Sequence, residues 1–502
     1  MLPSSFTVTI NLRFVATILL AGTIALLSTS WSEFAHRPSE DIAAGPAAFS
    51  TAVTSHTIAL NGKKLAYRAK AGYLGIGHSK GRAAANVFYV AYSLDNNVNV
   101  AKRPVTFVFN GGPGSSALWL HMGSFGPVRV GGNGRVEGNN NTWLGFTDLV
   151  FIDPVGTGYS RAANGTEARK FYGYKEDIGS IAEFIRAYLA DNGRENDAVF
   201  LAGESYGGLR AVGLAENLQA NGGVKLAGIT LISPALNYQL ISFKEGNETP
   251  YAYYLPTYAV TARYHHKLDA RLDSLTDEQL MSRATAFGQG TYTRFLHLGD
   301  AAPQALINKV IDSLHYFTGL SRDYLTEANG RVTDGQFTAE LLGSDSQTLG
   351  TFDGRVKDTL QHGDPSIAAI LTPFTRGFQQ YAHQVLKYDN QLPYLATTAT
   401  SGWNYGQGAN NCYINASATL KTIMTQNPGL KVQVVGGYYD LATPVAATHY
   451  VLNHLGLKKQ IRKNLIVKYY KAGHMLYTSD TANAAFKDDS RAFYASATVS
   501  VR

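Results

Sequence analysis

The stretch "AVFLAGESYGGLRAVGLAENL", residues 198–218, decides the fold. Ala198 to Ala202 is a short unbroken apolar run, as expected of a strand buried on both faces. Leu209 to Leu218 carries helical spacing, with Leu209, Val212 and Leu218 set among small residues. At the joint stands Ser205, within Gly203-Glu204-Ser205-Tyr206-Gly207. This is the G-x-S-x-G pattern of a sharp strand-to-helix turn that lifts a serine hydroxyl above a sheet. Glycine on either side lets the backbone close on itself where a Cβ would not fit. Such joints also serve plain structure or phosphate binding, so the pattern has to be weighed with its surroundings.

Moving outward, "HTIALNGKKLAYRAKAGYL" holds Asn61-Gly62 between two apolar runs, a hairpin signal. "NVFYVAYSL", "PVTFVFNGG" and "TDLVFIDPVGTGYS" continue as strands. "EDIGSIAEFIRAYLADNG" then predicts a helix with Ile178, Ile181, Ile185 and Leu189 on one stripe and Gly193 as its stop. The strand rhythm resumes in "LAGITLISPALN", "KVQVVGGYYDLATP" and "NLIVKYYKAGHMLY". Alternating strands and helices predict an α/β fold with a mostly parallel central sheet flanked by helices. Between about 240 and 410 the rhythm stops. "TDEQLMSRATAF", "PQALINKVIDSLHYF" and "SIAAILTPFTRGFQQYAHQVLKY" read as helices there. The expected organisation is therefore a core over 51–240 and 411–502, interrupted at 241–410 by a mainly helical cap insertion. Such an insertion is expected to lie over the carboxyl ends of the strands, where α/β ligands bind.

The chain has 502 residues, of which 45% are apolar and 16% charged, so a deep ordered core is available. Its formal charge of +7 comes from Lys and Arg spread along the chain, which reads as a solvated surface with no nucleic-acid partner. Arg13, the apolar run Phe14 to Leu27 and polar Ser28-Thr29-Ser30 fit a signal peptide within residues 1–30, with a linker over 31–50. An exported protein, periplasmic or extracellular, is expected; an uncleaved N-terminal anchor is the alternative and the only route to a membrane. Cys412 is the sole cysteine, so no intrachain disulfide forms and a buried inert thiol is expected.

A serine hydroxyl needs a base, and the base needs an orienting group. In α/β-hydrolases they follow in the order Ser, Asp or Glu, His. Downstream of Ser205, Asp440 closes "VQVVGGYYD" and His474 follows "LIVKYYKAGH", each where an apolar strand meets a turn. Asp440 read alone could cap the helix "PVAATHYVLNHL", and His474 could be a loop residue; their joint order favours a triad. His265-His266 has no acidic or cysteine partner at ligand spacing, and no metal is expected. For an oxyanion, "FVFNGGPGSS" at 107–116 ends a strand in a glycine turn that could offer backbone N–H groups, and the Tyr206 N–H is a second donor.

Asn110-Gly-Gly-Pro-Gly114 with Ser115-Ser116, Asp153-Pro-Val-Gly-Thr-Gly-Tyr-Ser160, Gly203-Glu-Ser-Tyr-Gly-Gly208, Asp440 and Gly473-His474 together resemble the serine carboxypeptidases, from about residue 50 onward. "GLSRDYL" and "TLGTFDGR" are similar to stretches in bacterial members. The resemblance implies the α/β-hydrolase fold, a Ser205-Asp440-His474 triad, and an oxyanion hole of the Gly112 and Tyr206 amides. It implies that Asn110 and Glu204 bind the free carboxylate of the substrate's terminal residue, Glu204 acting protonated as a donor. Two positions depart from the family pattern. Ser115 stands where members often carry a disulfide cysteine, and Ser124 in "HMGSFGPV" stands where they often carry a second glutamate paired with the one at the elbow. Without that like charge, Glu204 is expected to hold its proton less well at neutral pH. The expected activity is removal of C-terminal residues from peptides through an acyl-enzyme, with no cofactor. An esterase or acyltransferase using the same triad is the alternative, and an inactive binding protein a third reading.

Overall fold

The computed structural model describes residues 50–60, 62–77, 82–95, 103–163, 166–359, 363–406, 409 and 413–499. The leader at 1–30, nearly all of the linker, Asn61 of the hairpin and Cys412 lie outside the described residues. Among the described residues no helix is long and apolar enough to cross a membrane.

Nine strands follow one another across a central sheet: β1 (Ala52–Leu60), β2 (Lys63–Ile76), β3 (Ala85–Leu94), β4 (Val105–Phe109), β5 (Asp148–Ile152), β6 (Val199–Glu204), β7 (Leu226–Ile232), β8 (Lys431–Gly437) and β9 (Leu465–Tyr470). Their spatial order is β1-β2-β3-β5-β4-β6-β7-β8-β9, and the two-residue strand Arg161–Ala162 adds to β3 as the tenth member. Pairing is antiparallel from β1 to β5 and parallel from there to β9. The hairpin closes with Leu60 opposite Lys63.

The strand period of two divides the core. Phe200 and Ala202 of β6 face one cluster with Val108, Phe151 and Val435, while Val199 and Leu201 face another with Phe107, Val150 and Val434. Helices α1 (Tyr174–Asp191) and α2 (Tyr206–Ala220) cover the second face through Ile181, Ile185, Leu209 and Val212. Between β7 and β8 come α3 (Thr249–Tyr264), α4 (Asp277–Phe287), α5 (Gln304–Thr318) and α6 (Pro365–Gln384). The first three share a core of their own, in which Tyr254, Tyr258, Leu280 and Leu314 are buried. Phe374 and Phe378 of α6 pack instead on the sheet's first face, as do Phe486, Phe493 and Tyr494 of α8 (Asp480–Val499). Helix α7 (Val445–Asn453) follows β8. This region is not wholly helical, since Gln347–Leu349 and Lys357–Thr359 form a small antiparallel pair.

The parallel strands all end on one side. Their carboxyl ends deliver Asn110 after β4, Ser205 after β6, Ser233 after β7, Asp440 after β8 and His474 after β9.

Candidate active site

At the end of β6 the chain reverses into α2 through Ser205, whose φ of 60° and ψ of −126° lie in a region that L side chains rarely adopt. The turn is held by the Ser205 N–H, which donates to Ile232 C=O at 2.9 Å, and by the Gly208 N–H, which donates to Ser205 C=O at 2.9 Å. A Cβ at Gly203 would come within 2.0 Å of the Gly207 carbonyl oxygen, so only glycine permits so tight a joint.

His474 and Asp440 form a fully buried pair, with Nδ1 2.9 Å from Asp440 Oδ2. Asp440 Oδ1 accepts from the N–H groups of Ala442 and Thr443 at 2.9 and 2.8 Å, and the Thr443 hydroxyl stands 2.7 Å from Oδ2. The imidazole is fixed from its backbone as well. The His474 N–H donates to Phe352 C=O at 2.6 Å, Ser233 Oγ donates to His474 C=O at 2.8 Å, and the Phe352 ring stands edge-on to the imidazole at 4.8 Å. With Nδ1–H engaged by Asp440, Nε2 is an acceptor, buried and without a hydrogen bond. Burial works against a charged imidazole, but the Asp440 carboxylate and its hydrogen bond, with the Glu204 charge, outweigh it and raise the His474 pKa. Ser205 and His474 line one cavity, and a hydroxyl–imidazole bond of this kind commonly tightens only when substrate is bound.

The glycine turn after β4 lines the same cavity through Asn110, Gly111, Gly112 and Ser115. It is pinned without a disulfide. The Ser116 N–H donates to Ala396 C=O at 3.0 Å, the Thr398 N–H to Gly114 C=O at 2.8 Å, and Ser115 Oγ accepts the Trp119 indole N–H at 2.9 Å. Asp153, part of a motif to which the sequence attached no role, accepts the Ala117 N–H at 2.9 Å and so anchors the turn's exit. Tyr206 opens α2, where a first-turn N–H lies outside the helical ladder.

Asn110 Nδ2 donates to Glu204 Oε1 at 2.8 Å, and the Leu120 N–H donates to Asn110 Oδ1 at 3.1 Å, which fixes the amide's orientation. Glu204 Oε2 is buried with no hydrogen bond. Burial, helped by the nearby Asp440 charge, pushes its carboxyl up to about 7, against the opposing pull of His474, Tyr477 and Asn110. Ser124 itself is turned away, its hydroxyl donating to Asn483 Oδ1 at 2.7 Å.

All seven residues singled out from the sequence thus gather at one end of the sheet. Three neighbours were not foreseen. Arg210 is fully buried one turn below the elbow, where it pairs with Asp177 at 2.7 Å and donates to Asn110 C=O at 2.6 Å. Asp177 also accepts the Tyr206 hydroxyl at 3.0 Å, so one buried ion pair braces both Asn110 and the first residue of α2. A lone arginine on the apolar face of a helix was the available signal. Tyr477, next to Glu204, carried none. His265, at the end of α3, is half-buried and its Nε2 lies 2.7 Å from Gly354 C=O.

The rest of the cavity is mostly apolar, with Trp119, Phe352, Ile367, Leu371 and Met475 beside Thr351, Thr397 and, at the start of α6, Asp364. A buried acid–imidazole pair that shares a cavity with a serine on an elbow and with a glycine turn is an arrangement suited to acyl transfer.

Comparison with known proteins agrees. Residues 60–275 match the family model described as serine carboxypeptidase, a span that includes Asn110, Glu204 and Ser205. The pheromone-processing carboxypeptidase KEX1 of Phaeosphaeria nodorum is 36% identical over 131 residues, 25% of this chain and 19% of that protein. Its namesake from Saccharomyces cerevisiae is 35% identical over 131 residues, 24% of this chain and 17% of that protein. The chain therefore spans about a fifth of the length of the curated relatives it matches. The crystal structure of a prohormone-processing carboxypeptidase from Saccharomyces cerevisiae superimposes with a TM-score of 0.54 at 16% identity, covering 85% of this chain and 91% of that one, and so shares the fold. These relatives lend no support to the bacterial affinity expected from "GLSRDYL" and "TLGTFDGR". Through residues 60–275 the chain is similar to the serine carboxypeptidases.

Proposed function

We propose that the protein is an exported serine-type carboxypeptidase that removes the last residue of a peptide. The observation that carries this reading is the meeting, in one cavity, of Ser205 and His474 with Glu204 and Asn110. Ser205 Oγ attacks the last peptide carbonyl while His474 Nε2 takes its proton. Asp440 keeps the imidazole in the tautomer that leaves Nε2 free and balances the charge it gains. The oxyanion is received by the N–H groups of Gly112 and Tyr206. As the intermediate collapses, the C–N bond breaks and His474 returns the proton to the departing amine. Water, activated by the same imidazole, then releases the acyl group from Ser205. No cofactor enters these steps.

Asn110 and protonated Glu204 hold the terminal carboxylate, which selects the free end of a peptide. The apolar lining by Trp119, Phe352, Ile367, Leu371 and Met475 favours apolar side chains beside the scissile bond. Export rests on the apolar segment Phe14 to Leu27.

The test is release of leucine from an N-acylated Phe-Leu and from its C-terminal amide. The expected result is rapid release from the free acid, much slower attack on the amide, and loss of both in Ser205→Ala by a factor of roughly 10⁴ or more. Equal rates on acid and amide would move the reading to an esterase or acyltransferase.

A further inference from the structure

The position from which family members pair a second acid with the elbow glutamate is empty of charge, yet Glu204 is not alone. The turn Leu476–Thr478, two residues after His474, carries Tyr477 into the space beside it. That space exists because residue 123 is glycine: a Cβ there would lie 2.4 Å from Tyr477 Cδ2 and 2.6 Å from Cε2. Gly123-Ser124 therefore does two things. Gly123 admits the tyrosine ring, and Ser124 turns its hydroxyl to Asn483 in α8 at 2.7 Å, away from the cavity. The Tyr477 hydroxyl is buried, interacts with both Glu204 and Asn110, and has no hydrogen bond of good geometry. Glu204 Oε2 is the matching atom, also buried and unbonded, while Oε1 already takes Asn110 Nδ2 at 2.8 Å. A buried donor and a buried acceptor left unpaired in neighbouring side chains mark an interaction completed on ligand binding.

We propose that Tyr477 is the positioning residue that replaces the missing acid, donating its O–H to Glu204 Oε2 so that the carboxyl proton is aimed at the peptide's terminal carboxylate. This rests on the carboxypeptidase reading above. Asn110 fixes one oxygen of Glu204, Tyr477 orients the other, and the proton on Oε2 is the donor that the substrate meets. The phenol is held neutral by burial, so no second charge competes with the substrate. The groups facing Glu204 are then His474 and Asp440 from the strand ends, Tyr477 from its turn and Asn110 from the glycine turn. Because the phenol also stabilises an ionised Glu204, it sets where on the pH scale recognition is lost as well as how tightly the peptide is held.

The experiment compares wild type with Tyr477→Phe on the N-acylated dipeptide and its amide from about pH 5 to about pH 9, and titrates the Glu204 carboxyl by its infrared band, identified by its loss in Glu204→Gln. Expected for Tyr477→Phe are a KM for the free acid raised roughly tenfold, an unchanged rate on the amide, and a carboxyl midpoint displaced upward. A packing role alone would leave the midpoint in place. An unchanged KM with an unmoved midpoint overturns the proposal. Labelling of Ser205 by a fluorophosphonate at the wild-type rate shows that the variant is folded. If it does not fold, Gly123→Ala, which displaces the ring and keeps the hydroxyl, is measured in its place. A raised KM and a moved midpoint support the proposal, and unchanged values overturn it. If wild type labels but releases nothing from the peptide, the carboxypeptidase reading fails by itself. The midpoint then decides the Tyr477–Glu204 coupling alone: displaced in the variant it stands, unmoved it falls.

Discussion

Two buried carboxyl groups flank Ser205, and the chain treats them in opposite ways. Asp440 is surrounded by donors: two backbone N–H groups on one oxygen, and an imidazole and a hydroxyl on the other. Glu204, equally buried, has one donor and a bare second oxygen. The same side-chain chemistry thus supplies a compensated negative charge on one side and a carboxyl pushed up to about 7 on the other. Burial sets the penalty for charge, and the number of donors decides whether the penalty is met. The difference arises from local backbone. Asp440 sits at a turn whose following N–H groups fold back on it, whereas Glu204 is the last residue of β6, with its neighbouring amides committed to the sheet and to the elbow.

The sharpest way to break this contrast is Asp440→Asn, which keeps the shape and removes the charge. Turnover should fall by about 10⁴-fold, read as kcat on the N-acylated dipeptide; a fall under about tenfold would mean that Asp440 merely caps the turn. Next in size is Arg210→Met, which leaves Asp177 buried without its partner. Stability should drop by about 3–5 kcal/mol, measured as denaturant midpoint, and an unmoved midpoint would show that the ion pair does not brace the elbow. Smallest is Glu204→Gln. The folded state binds the Glu204 proton more tightly than the unfolded chain, whose reference value is 4.5, so wild-type stability is full below that and declines as pH rises toward about 7. Glutamine lacks this decline. Above neutrality the variant should gain on wild type, relative to acid pH, by on the order of 3 kcal/mol at 1.36 kcal/mol per pH unit. Parallel stability curves for the two proteins would mean that Glu204 is not perturbed by folding.

Much of this site was legible in the sequence, because its parts sit at the ends of strands that announce themselves. Ser205, Asp440 and His474 each follow an unbroken apolar run, and Asn110 opens a glycine cluster after another, so strand-end logic gathers them in advance. Helices α4, α5 and α6 were likewise readable from their apolar spacing. Helix α3 was not: Pro256 interrupts it and tyrosines crowd both its faces, so it has no clear stripe, and its burial on neighbouring helices decides the matter. The depth at which Glu204 lies was not readable for a related reason. Sequence shows which acid is missing at 124 but not how deeply the remaining one is buried. Tyr477 and Asn483 belong to the same class, since their importance comes from contacts with residues hundreds of positions away, Asn483 touching Ser124 and Tyr477 stacking on Gly123.

The backbone at Ser205 carries a last implication. Its dihedral angles are those ordinarily left to glycine, and holding a serine there costs about 1–3 kcal/mol. Glycine at this one residue would relieve that strain and make the chain hardier, at the loss of the hydroxyl. A side chain held in so unfavourable a posture gives up stability, written in two torsion angles, to keep a hydroxyl at the joint.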